Sequence, residues 1–339
     1  MSASIHVPPR ASTTPLNSAL WPALGVLAVV GSAWSLAALL PIGFSIATVF
    51  LFAGPHNWLE ARYMLRRMPA RWGPLWPYFT LGICGTLALG AGMGVLFVLA
   101  RSAQFSREVV FAAVSVWNTL LVAWIVTLAL LRARQNPRRE WRWLVPLGFC
   151  LIAAAWQWPL LFSVALVYVH PLVALWFLDR ELGKSRRAWQ AAYRRGLLLL
   201  PVALGGLWLL LARSPDLPGD AALAATIAYH AGGGVLRGVS THLLVSTHTF
   251  LEMLHYGVWI VAIPLLVTPR WPWRLDDVPL ARASNWGRRL TLTAICLGAA
   301  FMFVLWMGFF ANYALTRDIY FLIATLHVLA EAPFLLRLL

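Results

Sequence analysis

Charge is scarce in this 339-residue chain. Only 12% of residues are charged and just 12 are acidic, whereas 60% are hydrophobic and the mean hydropathy is +0.73. Soluble domains carry about a quarter charged residues, so a water-soluble globule is excluded. Cysteine is scarce as well: Cys84, Cys150 and Cys296 sit in apolar runs without CxxC spacing. Neither a disulfide frame nor a thiolate zinc site is indicated, and all three read as packing residues. The 24 glycines and 21 prolines follow no period, which removes collagen-like structure. No HExxH segment occurs, and no internal repeat supports an inverted-repeat transporter.

A polytopic, all-α transmembrane helical bundle remains. A bilayer core takes roughly 20 apolar residues as helix. Ten such stretches fall near 19–40, 42–64, 76–100, 108–131, 143–159, 160–178, 196–212, 239–267, 290–310 and 319–338. Pro41 and Trp158-Pro159 mark the tight connections within the first and third pairs. With the N-terminus in the cytoplasm, 22 of the 27 basic residues fall in internal loops, and Arg101, Arg107, Arg213, Arg237 and Arg317 stay outside. That alternation predicts both termini on the cytoplasmic side, of a bacterial inner membrane. The formal charge of +15 is thereby assigned to membrane topology and not to nucleic acid. Residues 1–18 read as a cytoplasmic tail, 19–339 as one membrane domain, and 213–238 as an outer loop carrying a surface helix.

Nine of the twelve carboxylates lie in loops or at span ends. Three fall inside apolar spans, where a charge costs several kcal/mol and marks function by default: Glu60, Glu252 and Glu331. Each follows a histidine by four residues: His56–Glu60, His248–Glu252 and His327–Glu331. Eight histidines in 339 residues make such a partner about a one-in-forty chance, so three together are on the order of one in ten thousand or rarer. On a helix the i, i+4 spacing places imidazole and carboxylate on one face. His255 extends the stripe of His248 and Glu252, and His170 lies mid-span on another helix.

In the proposed topology the second, sixth, eighth and tenth spans run in the same sense, which brings these side chains to similar depth. The expected metal ligands are therefore His56, Glu60, His170, His248, Glu252, His255, His327 and Glu331, with the three glutamates as catalytic groups. His6, His230 and His242 are placed in the tail or near the outer surface, outside the ligand set. Trp58 and Trp306 are candidates to line a substrate cavity.

Imidazole with carboxylate suits iron, zinc or manganese. Non-haem iron fits best. The glutamates either bridge a dinuclear site or accept the distal N–H bonds of histidines around a single ion. Zinc and haem are the alternatives.

The stretch Gly54-Pro55-His56-Asn57-Trp58-Leu59-Glu60 resembles the glycine-proline-histidine motif of the Brp/Blh membrane carotenoid oxygenases, in which an aspartate follows the histidine by four. The resemblance implies His56 as an iron ligand, Glu60 in the aspartate's place, and dioxygen chemistry on a carotenoid. The leading expectation is an O₂-dependent iron oxidase or oxygenase acting on an isoprenoid, carotenoid or fatty chain, with lipid as surroundings and an electron donor of unknown kind. Its competitors are a proton- or ion-coupled transporter using the pairs as a relay, and a haem-binding or cofactor-assembly protein.

Overall fold

The computed structural model describes residues 16–102, 104–135, 141–219, 222–267 and 274–338, with side chains from Leu27 to Arg337. The fifteen residues at the start of the expected tail, and the residues around Arg138 and Arg270, lie outside this set. Helices connected by short turns account for almost all of it, and no strand occurs among the described residues. In chain order they are α1 (Leu16–Leu39), α2 (Pro41–Arg67), α3 (Trp76–Arg101), α4 (Arg107–Gln135), α5 (Leu144–Gln157), α6 (Pro159–Ser185), α7 (Arg187–Leu197), α8 (Leu199–Leu211) and α9 (Ala222–His230). There follow α10 (Thr241–Gly257), continued as a π-helical segment over Val258–Val267, then α11 (Pro279–Ala283), α12 (Asn285–Ala311) and α13 (Tyr313–Leu338).

Seven helical stretches among the described residues are long and apolar enough to cross a membrane: Gly73–Arg101, Arg107–Gln135, Pro159–Ser185, Arg187–Leu211, Thr241–Val267, Asn285–Ala311 and Tyr313–Arg337. The chain is an integral membrane protein on that ground. Leu27–Leu39 and Leu144–Gln157 are shorter apolar helices. Helix α2 has 27 residues and spans about 40 Å. It is less apolar because it carries His56, Asn57, Glu60, Arg62, Arg66 and Arg67.

Local chemistry sets the boundaries. Pro41 and Pro159 each stand at the first position of a helix, where a missing N–H is harmless. The Ser240 hydroxyl accepts from the His242 amide at 3.2 Å to begin α10, and Ser284 accepts from Gly287 at 3.0 Å to begin α12. Asn312 does the same for α13, its side-chain oxygen receiving the Leu315 N–H at 3.0 Å. The seventh sequence segment is longer than its apolar run: α7, RAWQAAYRRGL, extends it back to Arg187.

Lipid provides no hydrophobic drive for helices to associate, so close packing has to supply it. Along α3, small residues let α13 approach: a Cβ at Gly82 would stand 2.9 Å from Pro333, and one at Gly90 would stand 2.0 Å from Leu326. Helix α10 packs on α1, α2 and α6, and α13 on α2, α3, α4, α6 and α12. The outer faces carry bare leucine, valine and phenylalanine, Leu209 being 87% exposed. The three cysteines also lie on these exposed faces, not in the interior packing expected of them.

Candidate metal centre

Four helices turn histidine-bearing faces toward one another: α2 with His56, α6 with His170, α10 with His255 and α13 with His327. The ring centroids stand 4.5 Å apart for His170–His255, 5.1 Å for His56–His327 and 5.3 Å for His56–His255. His170–His327 and His255–His327 are 5.7 and 6.5 Å apart.

Two metal-capable groups result. In the first, ligand atoms of His56, Glu60, His255 and His327 all lie within 4.8 Å of one another; His170, His255 and Glu331 form the second on the same criterion. His255 belongs to both.

Proline recurs beside the site. Pro55 precedes His56, Pro171 follows His170, Pro264 interrupts the π-helical continuation of α10, and Pro333 lies two residues after Glu331. None of them can donate a helical N–H. The π-helical register begins directly after α10, and π-bulges often accompany functional sites.

The donor chemistry of the site can be read from its hydrogen bonds. His56 Nδ1 lies 3.1 Å from the Phe52 carbonyl oxygen. A carbonyl only accepts, so Nδ1 carries the proton and Nε2 is left as an acceptor facing the cluster. That Nε2 has no partner, nor does either ring nitrogen of His255 or His327, while the Glu60 and Glu331 carboxyls lie against each other and Trp259 lies against Glu331. Burying a polar atom without a partner costs roughly 1–3 kcal/mol, so this concentration of them in one place is strongly unfavourable on its own. A divalent cation would satisfy the free nitrogens and balance two carboxylates lying side by side. The residues therefore fit a metal ion.

Glu60 and Glu331 are 1% and 2% exposed. His170 Nδ1 stands 3.5 Å from Glu331 Oε2. The Tyr256 ring packs on His56 at 4.4 Å between centroids. On the other side of Glu331, Tyr63, Met64, Phe177, Trp259, Phe334 and Leu335 line a small apolar cleft.

The remaining expected ligands lie elsewhere. His248 and Glu252 are in neither group. His248 precedes His255 by seven residues, a rise of about 10 Å, so a single helical stripe that long does not converge on one ion. Glu252 accepts the Tyr256 hydroxyl at 2.8 Å, and His248 faces Tyr168. His242 is bonded to the Ala38 carbonyl at 2.9 Å, and the His230 ring lies on Phe321. Trp306 is partly exposed and donates to the Phe50 carbonyl, while Trp58 packs toward Gly298; neither lines the apolar cleft.

Two further carboxylates placed at span ends by sequence are in fact buried. Glu181 is paired with Arg67 and lies 3.5 Å from Lys184; Asp179 receives Arg194 at 2.7 and 2.9 Å. Both are spoken for by cations, unlike Glu60 and Glu331.

Sequence reasoning missed Tyr256, Trp259 and Arg317. Arg317, expected in an outer loop, is 1% exposed inside the bundle, because α13 starts six residues before the apolar run at 319. Asn312 was the available signal, as a helix-capping residue type just ahead of Tyr313.

No family model, curated protein or solved structure matches this chain. The fold and the cluster define a polytopic helical membrane protein with buried His/Glu groups able to hold metal.

Proposed function

We propose that this protein is a membrane-integral non-haem iron oxidase or oxygenase acting on a lipophilic substrate such as an isoprenoid, carotenoid or fatty chain. It would cross the inner membrane ten times with both termini in the cytoplasm. One observation carries the reading. Four imidazoles and two carboxyls from helices far apart in sequence meet in the bundle interior, and ring nitrogens of His56, His255 and His327 there have no hydrogen-bond partner.

In this reading His56, His255 and His327, with Glu60, would hold an ion, and His170 and Glu331 with His255 offer the alternative set. Iron, which suits a nitrogen-and-oxygen donor set better than copper(I) does, would supply dioxygen binding and redox chemistry when bound. Glu60 and Glu331 balance its charge and are placed to hold a proton beside it. Tyr256 fixes the His56 ring by packing. Phe177, Trp259, Phe334 and Leu335 line a cleft with room for no more than about one water, and they shield Glu331 from bulk solvent.

Elemental analysis and a visible spectrum of the detergent-purified protein test the metal, and oxygen uptake with isoprenoid and fatty-chain probes tests the chemistry. Iron without a Soret band, with substrate-dependent uptake, supports the reading. A Soret band transfers the histidines to haem. Protein with no metal, which takes none up from ferrous solution, favours a proton or ion relay.

A further inference from the structure

Arg317 is among the largest fully buried side chains in the protein, and it has no carboxylate partner among the described residues. The nearest acid in sequence, Asp318, is taken by Arg101 at 2.7 Å; Glu252, whose Oε1 accepts the Tyr256 hydroxyl and whose Oε2 is buried without a partner, also neighbours Tyr313 but makes no ion pair with Arg317. The guanidinium makes only long contacts with neutral groups. Nη1 and Nη2 each reach Ser45 Oγ at 3.5 Å, and Nη1 reaches the Tyr313 hydroxyl at 3.4 Å. The Phe321 ring lies 4.8 Å from Cζ, and Nε has no partner.

Two imidazoles, His230 and His248, lie around it, and His230 Nδ1 is also buried without a partner. A buried guanidinium is always charged, and leaving one unpaired is strongly unfavourable. Such a fork, beside the Ser45 and Tyr313 hydroxyls and two neutral imidazoles, matches the geometry of a carboxylate or phosphate.

We infer that Arg317, with Ser45 and Tyr313, forms an oxyanion-binding site for the carboxylate or phosphate group of a bound ligand. The apolar surroundings indicate what carries that group. Val49, Ala53, Leu305, Phe309 and Tyr320 form a packed layer directly alongside. These apolar neighbours favour an oxyanion carried on a hydrocarbon over a free inorganic one. Its identification as the substrate, and only that, rests on the iron reading above; binding at Arg317 does not.

Native mass spectrometry of the full-length protein in detergent tests the site, with oleate, oleyl phosphate, oleyl alcohol and inorganic phosphate as probes. Oleate and oleyl phosphate should be retained and oleyl alcohol should not. Arg317→Gln should weaken retention roughly 10–100-fold, the range for a hydrogen-bonded charge, and Arg317→Lys should recover part of it. Inorganic phosphate displacing both amphiphiles, and held alone as tightly, would keep the oxyanion site but overturn the amphiphile as its source. Oleyl alcohol retained equally, or Arg317→Gln without effect, would overturn the site.

A second measurement covers the case in which the glutamine variant folds poorly. In lipid-stripped protein, Arg317→Met should raise Tm, because it removes an unpaired buried charge. A lowered Tm would make Arg317 a structural residue and overturn the proposal. Iron content read on the same samples separates the two readings: oxyanion retention without iron fails the metal centre alone, and iron without retention fails this site alone.

Discussion

His170 Nδ1 on α6 stands 3.5 Å from Glu331 Oε2 on α13, and this approach joins the second ligand group to the first through His255. Neither residue is the other's sequence neighbour. The pairing suggested by spacing, His327 with Glu331, is split between the two groups.

Because His255 serves both groups, its removal should be the most damaging single change. His255→Ala is expected to abolish iron retention, whereas His170→Ala should lower it by roughly 10–100-fold. Iron per protein after size-exclusion chromatography checks this, and equal retention by the two variants would contradict the sharing.

Position along α10 separates Glu252 from the cluster although its spacing from His248 is the same as that of Glu60 from His56. Glu60→Gln should reduce iron content by roughly 10–100-fold. Glu252→Gln should leave it unchanged. A large loss at Glu252 would mean that the helix shifts by a turn when metal binds.

Two glycines beside crowded neighbours should behave oppositely. A Cβ at Gly287 would stand 2.2 Å from the Leu280 carbonyl oxygen, a backbone atom, so Gly287→Ala should destabilise by about 1–3 kcal/mol. At Gly54 the obstacle is the mobile end of Met302, and alanine there recovers roughly 0.5–1 kcal/mol of helix preference. Thermal unfolding in one detergent compares them, with Gly287→Ala expected to melt lower.

The loop that leads into α10 carries a pH-sensitive cap on that helix. Asp216 Oδ1 accepts the Thr241 amide at 2.7 Å and its hydroxyl at 2.9 Å, and these bonds hold the carboxyl below its ordinary 3.8. A carboxyl depressed in the folded state stabilises above its unfolded value and loses that contribution as pH falls through the folded one. Asp216→Asn should therefore lower Tm at pH 7, with the difference from wild type shrinking as pH falls below the carboxyl's ordinary 3.8 and through its lower folded value. A difference that persists in acid would assign the effect to packing.

Orientation can be read by cysteine labelling in a background lacking Cys84, Cys150 and Cys296. A cysteine at Asp216 should react with an impermeant reagent applied outside, and one at Arg288 should be protected. The reverse pattern would invert the proposed topology.

Helix positions were legible in the sequence because lipid imposes a length and proline imposes breaks: Pro41 and Pro159 stand where the helices begin. The histidines of the cluster were legible because a polar residue in an apolar run is conspicuous. Convergence was not, since spacing fixes a face and not a depth. His248 and His255 share a face, yet about 10 Å of helix rise keeps them apart. Arg317 escaped because an apolar-run boundary marks where lipid-facing composition starts, not where the helix starts. Tyr256 and Trp259 escaped because aromatics are common throughout the chain.

The sharing of His255 also limits how many ions the centre can hold. A neutral imidazole has one ring nitrogen with a free electron pair, and the other carries a proton. His255 can therefore ligate in one group or in the other, and filling both at once requires it to surrender that proton as a bridging anion. With its ring in the neutral form His255 would serve one ion only, and a second would have to expel a proton or do without this ligand.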